Sequence, residues 1–234
     1  MDAVPSTEQA ASSSEASQPL LSADHPGVNE LFALLAYGEV AAFYRLTDEA
    51  RMAPDLRGRI SMASMAAAEM GHYDLLSEAL AQRGVDIVAA MSKYAGALDG
   101  YHRLTMPSTW LEALVKTYIG DAMAADFYLD IAAGLPDEVA AVVRSVLAET
   151  KHSQFVVAEV RAAVTASAKQ RSRLALWARR LLGEAITQAQ YVLAEHDELV
   201  DLVMSGTGGL THLAGFFDRV QRTHDDRMRE LGLT

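Results

Sequence analysis

The chain has 234 residues, half of them hydrophobic, with Ala, Leu and Met prominent and only 7% aromatic. That is enough for one sizeable core, and it favours helix over sheet. A formal charge of −11 opposes generic binding to phosphate backbones, and the absence of cysteine excludes disulfides, thiolate catalysis and cysteine-ligated clusters. No basic region followed by an apolar one opens the chain, and no apolar run reaches the length of a membrane span, so a soluble cytoplasmic protein without membrane contact is expected.

In chain order, residues 1–24 are rich in Ser, Ala, Glu and Gln and read as a disordered tail ahead of a single helical domain over 25–231. A first helix is expected from about 28 to 49 and a second from about 54 to 82, folded into a hairpin at Pro54 and stopped at Gly84. Residues 84–108 form a long, partly helical crossover, after which Ser108 or Thr109 caps a third helix (about 109–133). The GLPD turn leads into a fourth helix (about 137–168). A fifth helix spans about 170–204, and a last one follows the SGTGG loop, about 210–231. Two antiparallel hairpins joined by a long crossover make an all-α, ferritin-like four-helix bundle over about 28–168, with additional C-terminal helices over about 170–231.

The spacing Glu-x-x-His occurs twice, as Glu69 with His72 and as Glu149 with His152, once in each hairpin. A separation of three leaves side chains about 60° apart on one helix face, close enough to serve one ion. Both pairs share their faces with apolar residues, Met62, Met65 and Leu76 in one case and Val142, Val146 and Val156 in the other. Glu39 lies 15 residues before Pro54 and Glu69 lies 15 after it, which sets the two carboxylates level. Glu149 and Asp121 are similarly placed about Leu135, 14 residues to either side. Asp126 is the rival to Asp121, displaced along the helix by roughly 7 Å and about 140° around it, and reads as a supporting or surface acid.

One carboxylate from each of two helices and Glu-x-x-His from each of the other two match the ligand set of a dinuclear iron or manganese centre. No Lys or Arg is expected on the inward stripes, so the four carboxylates would be balanced by two divalent ions. Tyr118 and Tyr128 could line a pocket beside Asp121 or simply fill the bundle. His102, His196, His212 and His224 lack ligand-like spacing and read as surface or loop groups. From Arg161 to Arg180 there are six basic residues and no acidic one. Within it, Lys169, Arg171, Arg173, Arg179 and Arg180 read as a solvated helix end and loop, with phosphate contact as the alternative.

Four stretches, YGEVAAFYRL, AAEMGHYDLL, the block from Asp99 to Tyr128 and ETKHSQF, resemble actinobacterial ferritin-like relatives of tRNA-(2-methylthio-isopentenyl-adenosine) hydroxylase. The resemblance covers about residues 28–205. It implies a carboxylate-bridged di-iron oxidase or monooxygenase that activates dioxygen and hydroxylates a modified tRNA nucleoside. Glu39, Glu69, His72, Asp121, Glu149 and His152 would hold the two irons, or manganese in their place. Such an oxidoreductase needs an external reductase as electron donor, since the chain has no cysteine with which to build a redox module of its own. The rival expectations are a ferroxidase or peroxide-scavenging protein and a non-enzymatic interaction protein stabilised by metal. A monomer or small homo-oligomer is expected.

Overall fold

A computed structural model describes residues 21–147, 153–207 and 210–234. Among these residues the fold is all-α, with no strand. The first pair is α1 (Pro26–Ala50) and α2 (Leu56–Gln82), and α3 (Ile87–Leu104) occupies the crossover. The second hairpin is α4 (Trp110–Ala132) followed by α5 (Asp137–Val146) and α6 (Ser153–Ala166). The chain then continues through α7 (Ala168–Glu195), α8 (Asp197–Thr207) and α9 (Leu210–Glu230).

Local chemistry sets most of these boundaries. Pro26 opens α1, where its fixed φ suits the first helical turn, and the His25 ring accepts from the Gly27 N–H at 3.1 Å. Asp55 caps α2 by accepting from Gly58, and Gly84, at a φ of 70°, ends it in a left-handed conformation that a side chain disfavours. Asp86 caps α3, and Thr109 rather than Ser108 caps α4 by accepting from the Glu112 N–H. The Glu112 carboxylate in turn accepts from the Ser108 N–H at 2.8 Å.

Two expectations about helix length change. The fourth helix is described as α5 and α6, with residues 148–152 between them outside the described residues. The fifth is broken at His196, whose extended backbone (φ −131°, ψ 87°) separates α7 from α8. Packing also begins before residue 25, since Leu21 is buried in the core.

The buried apolar residues form two clusters stacked along the bundle. One takes Val28–Ala36 of α1, Leu76 and Leu80 of α2, and the buried faces of α3, α5 and α8. The other takes Leu46 and Ala50 of α1, Met62–Ala66 of α2, and residues of α4, α6, α7 and α9. Between them, α1 contributes Glu39 and α2 contributes Glu69 and His72, so a polar layer lies between two dry ones. Helix α4 is covered by α5, α6, α7 and α9 as well as by α1. This explains why Glu112 through Thr117 are buried without interruption, more than one helical face. No described helix is long and apolar enough to cross a membrane.

Candidate metal centre

Glu39 is buried on α1, and Glu69 and His72 reach it from α2 with side chains 17% and 20% exposed. The His72 Nδ1 lies 3.3 Å from a carboxylate oxygen of each glutamate. One donor atom from each of the three residues falls within 4.8 Å of the others. The helical spacing and the symmetric fold about Pro54 account for the convergence.

The protonation of the cluster follows from crowding. Burial pushes the Glu39 carboxyl up to about 8, with the adjacent Glu69 adding to the effect and His72 opposing it. Burial is the largest influence on Glu69 and acts in the same direction, but its bonds to His72 and Glu39 and the His72 and Arg45 charges together outweigh it and hold Glu69 below the ordinary range. Hydrogen bonds to Glu39 and then Glu69 push His72 up to about 10 against its own burial. Free of metal, the cluster therefore keeps protons that a cation would displace. Two carboxylates and an imidazole suit iron or manganese, so the donor set fits the ion that the sequence pattern implies.

The remaining predicted residues are placed differently. Asp121 is bound by Arg45, whose Nη2 donates to it at 2.8 Å. Burial pushes the Asp121 carboxyl up to about 7 against the opposing Arg45 charge, yet 44% of its side chain is accessible. The carboxylate is thus packed within the protein on one side and reached by solvent on the other. Asp126 faces α9, where it takes two bonds from Arg227 at 2.7 and 2.9 Å and one from Thr223. Tyr118 donates to Glu230 at the end of α9. Tyr128 is close enough to Glu39 for that charge, added to burial, to raise its hydroxyl well above its ordinary value. Glu149 and His152 lie outside the described residues.

The expectation of inward stripes free of cations is overturned. Arg45 is buried and donates to Glu49 at 3.1 Å and Thr117 at 2.9 Å as well as to Asp121. Lys116 is also buried, 3.9 Å from Glu49 and over the Tyr101 ring. A buried arginine among three acceptors is paired rather than exposed, which resolves the cost of enclosing its charge. The signal for Arg45 was its four-residue spacing from Ala41 and from Glu49, both buried. For Lys116 there was no local signal, because its neighbours Glu49 and Tyr101 come from other helices, α1 and α3.

Among the other histidines, His224 is 1% exposed and not at the surface as expected, because α9 packs inward. Burial, with the Arg45 and Lys116 charges, pushes His102 down to about 3, and its Nδ1 is enclosed without a hydrogen-bond partner. His196 sits against Tyr94, ring centroids 4.4 Å apart. The side chain of His212 lies outside the described residues. In the basic segment, which is helix rather than loop from residue 168 onward, Arg173 bonds Glu112 and Arg180 donates to the Leu104 carbonyl. Lys169, Arg171 and Arg179 are exposed on α7.

The family model for the ferritin-like domain of actinomycetes matches residues 24–206. The chain belongs to that family. No curated protein matches it. The match spans the helices that form the ferritin-like bundle together with α7 and nearly all of α8, and leaves α9 outside. Ferritin-like proteins commonly bind iron, and the Glu39, Glu69 and His72 group lies within the matched region.

Proposed function

We propose that this ferritin-like protein is an iron-dependent oxidase of the di-iron carboxylate class. The observation that carries the reading is the convergence of Glu39, Glu69 and His72 between two apolar clusters of one bundle. These three residues would hold one ion. Asp121, with Glu149 and His152 of the repeated motif, would hold the second. Bound ferrous iron supplies the electrons that activate dioxygen, and manganese would fit the same donors.

The protein's own part is to bind, to exclude water and to manage protons. The apolar clusters on either side of the polar layer limit its contact with water, which strengthens the charge interactions within it. His72 and Glu39 release protons as an ion binds, and the Tyr128 hydroxyl beside Glu39 remains protonated at neutral pH. The sequence resemblance favours hydroxylation of a modified tRNA nucleoside, with a separate reductase as electron donor. Lys169, Arg171 and Arg179 on α7 would then take phosphates, while Arg173 and Arg180 also brace α4 and the end of α3.

Anaerobic loading with ferrous iron, followed by dioxygen, tests the metal reading. About two irons per chain and oxygen uptake accompanied by iron oxidation are expected; a chain that retains no iron after desalting would refute it. The substrate is tested separately by comparing modified nucleosides in tRNA from cells with and without the gene. An unchanged profile rejects tRNA and leaves the oxidase standing.

A further inference from the structure

Helix α2 packs on α1, α3 and α5, and among the described residues one long face of it stays open to solvent. The middle of that face is apolar. Leu56, Ile60 and Leu75 are 69%, 56% and 45% exposed, and Ala63, Ala67 and Gly71 lie exposed between them. A Cβ added at Gly71 would meet nothing within 4 Å. Glu69 projects about 160° from Ala67 around the helix, so the open face is the one turned away from the metal layer. Contiguous exposed apolar surface of this kind, rimmed by charge, is characteristic of an interaction site.

The charges on this face identify the partner, because they are opposite in sign on the two sides of Ala67. Arg59 lies eight residues before Ala67 and Asp74 seven after it, while Arg57 lies ten before and Glu78 eleven after. Ile60 and Leu75 are seven before and eight after. The helical repeat turns Arg57, Glu78, Ile60 and Leu75 to one side of Ala67, and Arg59 and Asp74 to the other. All four charged side chains are exposed, and none forms an ion pair with another described residue. A two-fold axis through Ala67, perpendicular to the helix, reverses its direction and keeps each side with itself. It therefore sets Arg59 beside Asp74 of a second copy, Arg57 beside Glu78 and Ile60 against Leu75, each contact occurring twice. A parallel pairing would instead set like charges together. Ala63, Ala67 and Gly71 at the centre allow the two helices to approach to about 8 Å. We infer that α2 is the interface of an antiparallel homodimer, this face meeting the same face of a second copy. The overlap from Leu56 to Glu78 runs about 33 Å, which puts the contact at the small end of stable interfaces and its dissociation constant in the micromolar range.

Sedimentation equilibrium of the full-length protein across a range of concentrations tests this. The wild type is expected to reach twice the 25.3 kDa of one chain at about 100 µM. Arg59→Asp and Asp74→Arg, each of which sets like charges together in both halves of the interface, should each weaken the dimer by about tenfold or more. The double variant Arg59→Asp with Asp74→Arg exchanges the two charges, restores the pairing and should return the affinity to within about threefold of wild type. Ala67→Glu brings two carboxylates together on the axis and should leave a monomer with unchanged helical circular dichroism. Should Ala67→Glu fail to fold, the charge exchange at the exposed positions 59 and 74 still decides. A wild type that stays monomeric at about 100 µM overturns the inference, whatever else covers the face. So does a dimer indifferent to both charge reversals, which would use another surface, or one that the double variant does not restore. None of these outcomes bears on the metal reading, which iron loading tests by itself.

Discussion

Replacing Glu39 by Gln should stabilise the metal-free protein at high pH while abolishing its ability to be stabilised by metal. Burial raises the Glu39 carboxyl from an ordinary 4.5 to about 8. Because the folded value exceeds the unfolded one, the group's contribution to stability is fully present below 4.5 and is lost as pH rises through 8. At about 1.4 kcal/mol for each tenfold change in proton affinity, ionised Glu39 costs at most about 5 kcal/mol. Glu69 and His72 share the charge, which brings the expected gain from Gln to about 2 kcal/mol at pH 9 and near zero at pH 5, where Glu39 is itself neutral. Urea unfolding of the chelator-treated protein at the two pH values measures the difference. Adding metal should reverse the order at pH 9, with the wild type gaining stability and Glu39→Gln gaining little. If Glu39→Gln instead weakens the metal-free fold at pH 9, Glu39 is an ordinary satisfied core carboxylate and the site argument fails.

Other measurements probe the same logic. His72→Ala removes the only nitrogen donor in the described cluster and should weaken the first ion more than about 100-fold, beyond what loss of a supporting residue costs, as read by competition with a chelator. Metal uptake near pH 7 should release protons from His72 and Glu39, and affinity should fall as pH drops below about 10 and more steeply below about 8; uptake without proton release would contradict the protonation described. Leu76→Ala opens a cavity beneath the metal layer at a side chain with no exposed surface, and should cost about 2–5 kcal/mol in chemical unfolding. Gly27→Ala would place a Cβ only 2.3 Å from the Glu198 carbonyl, so α1 and α8 must separate. A loss of about 2 kcal/mol or more in the same assay is expected.

Much of this fold was legible in the chain because its signals are local. Pro54, Gly84 and the capping residues punctuate the helices, and the three-residue spacing of Glu69 and His72 fixes a shared face. Equal distances from a turn then bring Glu39 to the same level. The same reasoning paired Asp121 with Glu149, which lies outside the described residues, and a register argument reports height along a hairpin without naming the other neighbours at that height. In the tertiary structure it is Arg45 from α1 that binds Asp121. Asp126, equally acidic and five residues on, is taken by Arg227 of α9, a helix about a hundred residues away.

By itself, the sequence determined an all-α chain of hairpins and a turn-symmetric set of acids and histidines, because helical periodicity and turn chemistry act over a few residues. Only the tertiary structure decided which charges that set would meet. Helices α7 and α9 cover α4 from a side that its own pattern leaves open, Lys116 is buried against Glu49 of α1 and Tyr101 of α3, and Arg45 and Glu49 turn inward as a pair. Electrostatic balance at a buried site is a sum over every element packed around it, and most of those elements are distant in the chain.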